Sequence, residues 1–132
     1  MRRFRRGSAL LEAALVLPVV LSLSFGGVEY GYFFYVKHSL AGAAREGCRA
    51  AIVAGATNTD VNTAVAAVMT ASGLQNASYT VVTSPATVSS ATQGSSVTVT
   101  VQVSWGSVGV RPLGLISSTK LVQGATVMRK EG

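Results

Sequence analysis

The residues from Ser8 to Val28 form an apolar run with a single charge, Glu12, and four arginines, Arg2, Arg3, Arg5 and Arg6, stand just before it. Ser8 to Gly27 is twenty residues. As a helix rising ~1.5 Å per residue it covers roughly 30 Å, the thickness of a bilayer's hydrocarbon core. One membrane-crossing helix is therefore predicted, and the remaining residues must build a domain on one side of it. An acidic residue costs on the order of 2.5 to 3.5 kcal/mol at the centre of such a helix and less near its end. Glu12 is tolerable there, but it calls for a partner.

Charge placement orients the span. No basic residue follows it until Lys37, and arginines collect on the cytoplasmic side, so the N-terminus is expected in the cytoplasm and the rest outside. Tyr30, Tyr32, Phe33, Phe34 and Tyr35 come next, and amphipathic rings favour the headgroup level, which puts the outer boundary there. A cleaved secretory signal fits poorly. The apolar region exceeds the ~7 to 15 residues usual for one, and the small-residue motif Ala41-Gly42-Ala43 lies too far beyond it. An uncleaved signal anchor explains the arginines and the span equally well, but not Glu12.

With 132 residues, 48% of them hydrophobic and 12% charged, the chain has room for one membrane helix and one small domain, not for a large catalytic core. The net charge of +6 belongs mainly to the leader: without its four arginines, seven basic residues face five acidic ones. Nucleic acid is therefore not an expected partner, because the remaining basic residues are scattered rather than gathered on one face. No catalytic, cofactor or metal site is expected either. His38 is the only histidine, Cys48 the only cysteine, and Glu12, Glu29, Glu46, Asp60 and Glu131 form no recognisable pair or cluster. His38 and Cys48 are ten residues apart, about 15 Å along a helix.

Cleavage after Gly7 would supply the cation that Glu12 lacks, since a free α-amine on Ser8 is largely protonated at neutral pH. Ser8 and Glu12 are four residues apart and can meet within one helix. The amine of a neighbouring subunit can also reach Glu12 when helices stack with an axial offset. That arrangement would set subunit register, because a misaligned helix leaves both charges unpaired in a dry environment.

The string Arg5-Arg6-Gly7, the small Ser8 and Glu12 as fifth residue after the glycine resemble the class III signal of type IV pilins and pseudopilins. The continuation to Ala51 resembles the TadE-like minor pilins or pseudopilins of tight-adherence (Tad, or Flp) pilus and secretion systems. That likeness rests on Leu17-Pro18, on Gly-Val-Glu-Tyr-Gly from Gly27 to Gly31 and on Ala-Ala-Arg-Glu-Gly from Ala43 to Gly47. Ala13 stands where members of this pilin group often carry tyrosine. The resemblance implies a prepilin peptidase that cuts between Gly7 and Ser8 and needs a residue without a side chain at Gly7. It further implies other pilin or pseudopilin subunits and the Tad inner-membrane assembly machinery as partners.

Beyond the span the helix is expected to continue to Gly55. At 100° per residue, Phe33, Val36, Leu40, Ala43, Ala44, Gly47, Ala51 and Ala54 share one small, apolar face, suited to the chain's own sheet or to a partner helix. Gly27 and Gly31 form a GxxxG pair that permits close helix packing. Pro18 removes one helical hydrogen bond inside the span. Glu29 reads as an interfacial charge or an intersubunit contact. Cys48 reads as a small packed residue or as half of an intermolecular disulfide, since a lone cysteine cannot pair within its chain. A short helix is predicted from Asp60 to Ser72. The clearest strand runs from Val97 to Trp105, where valines alternate with polar residues, and weaker strands cover Ser78 to Thr83 and Lys120 to Met128.

The expected architecture is α+β: a long N-terminal helix packed on a small antiparallel sheet of about three strands, with one short extra helix. Its parts are a leader at 1–7, a transmembrane helix at 8–28, a helical extension at 29–55 and an external head at 56–132. The function this implies is a structural, non-enzymatic Tad pilin-like subunit, single-pass in a bacterial inner membrane with its head outside the cytoplasm. The competing reading is a membrane-anchored binding module whose span serves only as a tether.

Overall fold

The computed structural model describes residues 4–131, so the leader residues Met1 to Arg3 lie outside the described part. Helix α1 (Phe4–Ile52) is a single 49-residue rod, about 73 Å long at ~1.5 Å per residue. It continues through Pro18, and the Ser22 hydroxyl donates to the Pro18 carbonyl at 2.7 Å. Helix α2 (Asn58–Ala71), strand β1 (Tyr79–Ser84), strand β2 (Ser96–Ser104), the single-turn helix α3 (Trp105–Val108) and strand β3 (Leu121–Arg129) follow. The sheet is antiparallel in the order β1-β2-β3, with Val101 opposite Val81 on one side and Gly124 on the other.

The alternation read in β2 is the alternation observed. Val97, Val99, Val101 and Val103 are buried, while Thr98, Thr100, Gln102 and Ser104 are partly exposed on the opposite face. The buried face lies against the outer part of α1, which contributes Val36, Leu40, Ala43, Ala44, Cys48 and Ala51. Helix α2 closes the core with Val61, Val65 and Met69. Full burial of an aliphatic side chain stabilises by roughly 1.5 to 3 kcal/mol, so this shared core holds both the outer half of α1 and the sheet. The helical extension and the head are thus one packed unit.

Two glycines set how close the layers come. A Cβ built on Gly124 would collide with the α1 backbone at Leu40 and Ala41, and one on Gly47 would lie 2.7 Å from Val65 Cγ2 of α2. Neither glycine needs a positive φ. Their role is to leave room.

Helix α1 stops at Ile52 rather than running to Gly55, and Ala54, expected on the core face, is exposed. Gly55 at φ +75° turns the chain. The helix end is then covered by the residues that follow β3: Lys130 Nζ donates to the carbonyls of Ala51 at 2.9 Å and Val53 at 2.8 Å, and Glu131 N donates to Ile52 O at 3.0 Å. A basic side chain there satisfies orphan carbonyls and suits the negative end of the helix dipole. Helix α2 starts two residues earlier than the predicted Asp60 because Thr57 caps it. The Thr57 hydroxyl accepts from Asp60 N, and the Asp60 carboxyl accepts from Thr57 N at 2.8 Å, a reciprocal capping box. Trp105, expected at the end of β2, opens α3 instead, and its buried ring meets Phe33 at 5.3 Å and Tyr32 at 5.9 Å between centroids.

Two outcomes follow from these contacts. Gly124→Ala should lower head stability by about 1 to 3 kcal/mol, read as a reduced thermal midpoint by circular dichroism in detergent, whereas Gly27→Ala should leave it unchanged. The Thr57 hydroxyl, then the Thr57 N–H, hold the Asp60 carboxyl below its ordinary pKa. A carboxyl depressed on folding contributes stability that is present above its unfolded pKa and lost as pH falls. Thermal midpoints should therefore fall as pH drops below about 4, and the fall should be smaller in Asp60→Asn.

Candidate functional site

The inner part of α1 stands outside the core. From Gly7 to Phe25 every residue is exposed, with Leu10 at 72% and Leu23 at 73%. Side chains this apolar are not left in water without a reason. This helix is long and apolar enough to cross a membrane, and none of its most apolar window is buried in the protein. Glu12 lies on this exposed rod among Leu10, Leu11, Leu15 and Val16, one helical turn beyond Ser8. Gly7 is likewise open, with no atom near a built Cβ.

Gly27 and Gly31 are equally open: a Cβ at either meets nothing within 4 Å. Gly26 is the contrast, because Leu115 and Leu113 of the loop between α3 and β3 cover it, Leu115 Cδ1 at 3.5 Å from a built Cβ. The loop thus reaches down one side of α1, and the GxxxG pair is left uncovered on another.

Glu29 is what ties the loop there. Its side chain is fully buried. Its Oε1 accepts from Ile116 N at 2.9 Å and its Oε2 from Leu113 N at 3.2 Å. The expectation of an intersubunit contact is therefore corrected, since this carboxyl is spent within its own chain. Glycines at φ +80° (Gly109) and +65° (Gly114) let the loop turn back along the helix.

The aromatic cluster is divided rather than gathered at one level. Tyr32 and Phe33 pack on the head, with the Tyr32 hydroxyl 3.2 Å from Val108 O. Tyr30 and Phe34 face outward, and half-exposed Tyr35 donates its hydroxyl to Ser72 O at 2.7 Å. Cys48 is fully buried with Sγ 3.4 Å from Val97 O, and burial pushes its thiol pKa up. An exposed sulfur for an intermolecular disulfide is absent, so its role is packing. His38 lies exposed on α1 and away from this core. Among the described residues no group of three or more His, Cys, Asp or Glu is arranged to hold a metal ion.

Residues 7–49 match the family of TadE-like proteins. The chain carries a TadE-like helix. The match begins at Gly7 and ends three residues before α1 does, so it covers the exposed rod, Glu29 and most of the core-facing stretch, but not the loop that Glu29 holds. No curated protein and no solved structure gives a significant match. Outside the TadE-like segment, sequence reasoning missed Gly124, Lys130 and the pair Leu113 and Leu115. For the last pair a signal existed: the stretch from Val108 to Ile116 is unusually apolar for a loop.

The Glu29 clamp predicts its own disruption. Glu29→Ala deprives two backbone N–H groups of their acceptor, a loss of about 1 to 3 kcal/mol of local stability. Amide hydrogen exchange at Leu113 and Ile116 should then quicken by roughly tenfold or more while the β2 amides keep their protection. Unchanged exchange at both would show that something else holds the loop.

Proposed function

We propose that this chain is a minor pilin or pseudopilin of a Tad pilus or secretion system. A prepilin peptidase cuts it between Gly7 and Ser8, and the mature protein assembles through the inner half of α1. The observation that carries the reading is the continuous TadE-like helix, whose Gly7–Phe25 stretch projects from the head with its apolar side chains exposed. A helix of this kind suits a bilayer before assembly and a bundle of like helices after it, because both environments accept the same apolar surface.

In this reading the leader stays in the cytoplasm and the head lies outside it, with the inner-membrane assembly machinery acting on the span. Removal of residues 1–7 exposes the Ser8 α-amine, which pairs with Glu12 of the same or a neighbouring subunit. Mutual neutralisation makes Glu12 acceptable in the dry interior of a filament, and an out-of-register subunit forfeits it. The open Gly27 and Gly31 supply a smooth face for a neighbouring helix.

Intact mass of the protein from its native membrane tests the first step: a species beginning at Ser8 is expected, and one beginning at Met1 rejects processing. For the second step, Glu12→Ala should leave membrane insertion intact and reduce pilus incorporation about tenfold or more, equivalent to ~1.4 kcal/mol or greater. Equal incorporation of Glu12→Ala and the unaltered chain would remove the register role.

A further inference from the structure

The loop held by Glu29 lies at a depth that the head of an external domain should not reach. Leu113 and Leu115 cover Gly26, and with Pro18, Val19, Ser22 and Leu23 they border an apolar cleft of about 400 Å³. By helical rise Gly26 is ~3 Å, and Ser22 ~9 Å, inside the end of the apolar run at Val28. The run from Ser8 to Val28 is itself only about as long as a hydrocarbon core is thick. Riding outward to keep the loop in water would strip the helix of its own span, so the loop must enter the leaflet with it.

The loop is made for that depth. Leu113, Leu115 and Val110 are 42%, 56% and 42% exposed. Between Gly106 and Lys120 there is no acidic residue, and Arg111 and Lys120 are the only charges. Lys120 lines a second cleft with Tyr30, Phe33 and Leu115, at the base of the loop. Irregular backbone inside a bilayer is tolerated only where its polar groups are satisfied by protein. The buried Glu29 carboxyl satisfies two of them, at Leu113 and Ile116. In water those N–H groups would need no such partner.

Building on the membrane span proposed above, we propose that residues 110–116 form a finger seated in the acyl chains of the leaflet from which α1 emerges. Arg111 and Lys120 meet the phosphate groups of anionic lipids, and Leu113 and Leu115 insert beside the helix, as in interfacial segments that sit ~5 to 10 Å deep. The finger fixes the tilt and rotation of α1, which a single helix leaves free, and it holds the head against the membrane surface.

The test uses the full chain in a Cys48→Ala background, reconstituted in phosphatidylethanolamine–phosphatidylglycerol vesicles. Leu115→Cys, Val110→Cys, Phe25→Cys and Val127→Cys are each labelled with an environment-sensitive fluorophore. Quenching is read with doxyl-labelled lipids and with aqueous iodide. The finger predicts that labels at 115 and 25 lose fluorescence to doxyl lipid to a similar extent and resist iodide, while the label at 127 does the reverse. Position 110 is read in parallel because a label at 115 can disturb its own seat. Quenching by doxyl lipid at 25 but at neither 115 nor 110 overturns the finger and leaves the span standing. Loss of lipid quenching at 25 as well removes both. Labels at 115 and 110 shielded from lipid and iodide alike would place a second copy on the cleft and overturn the lipid seat.

Discussion

The backbone of α1 is pressed directly against the sheet at Gly124, and the rest of the molecule depends on that approach. A side chain there would stand on the main chain of Leu40 and Ala41. With none, the valines of β2 reach the small face of the helix and close a dry core around Ala43, Ala44 and Cys48. Gly47 does the same for α2. The helix that builds this core is continuous with the helix that projects from it, so the packed head and the projecting rod share one backbone element.

That continuity gives the polar groups at the junction their meaning. Lys130 closes the outer end of α1, and Glu29 pins the loop beside its middle. Both are charged-type side chains taken out of water, and both are spent on backbone groups that would otherwise be orphaned. Satisfaction of that kind costs less than it first suggests, since each donor or acceptor carries its own desolvation penalty if left alone. At the level of Glu29 the effect is to press Leu113 and Leu115 against the helix and make one continuous apolar surface out of two separate stretches of chain.

Much of the fold was legible in the residues themselves. The strict alternation from Val97 to Val103 carried β2, because a half-buried strand must place like residues two apart. The 100° stripe from Val36 to Ala51 carried the buried face of α1. The misses share a cause. Trp105 continued the alternating pattern but left the strand, because its ring found Tyr32 and Phe33 in tertiary packing. Ala54 continued the stripe but lay beyond the point where Gly55 turned the chain. For Glu29, neighbours in sequence suggested an interface, while its partners were 84 and 87 residues away.

What the sequence alone determined was the long apolar run, its arginine-led start, the lone charge at Glu12 and the TadE-like order of motifs through Gly47. These are local properties, set by length, hydropathy and spacing along one helix, and no distant residue alters them. What only the tertiary structure decided was where that helix meets the head, which aromatics stay outward, and that Glu29 holds a loop against α1. Those outcomes rest on contacts between residues far apart in the chain, where a missing Cβ at Gly124 and two backbone N–H groups near Leu115 outweigh anything their immediate neighbours prefer.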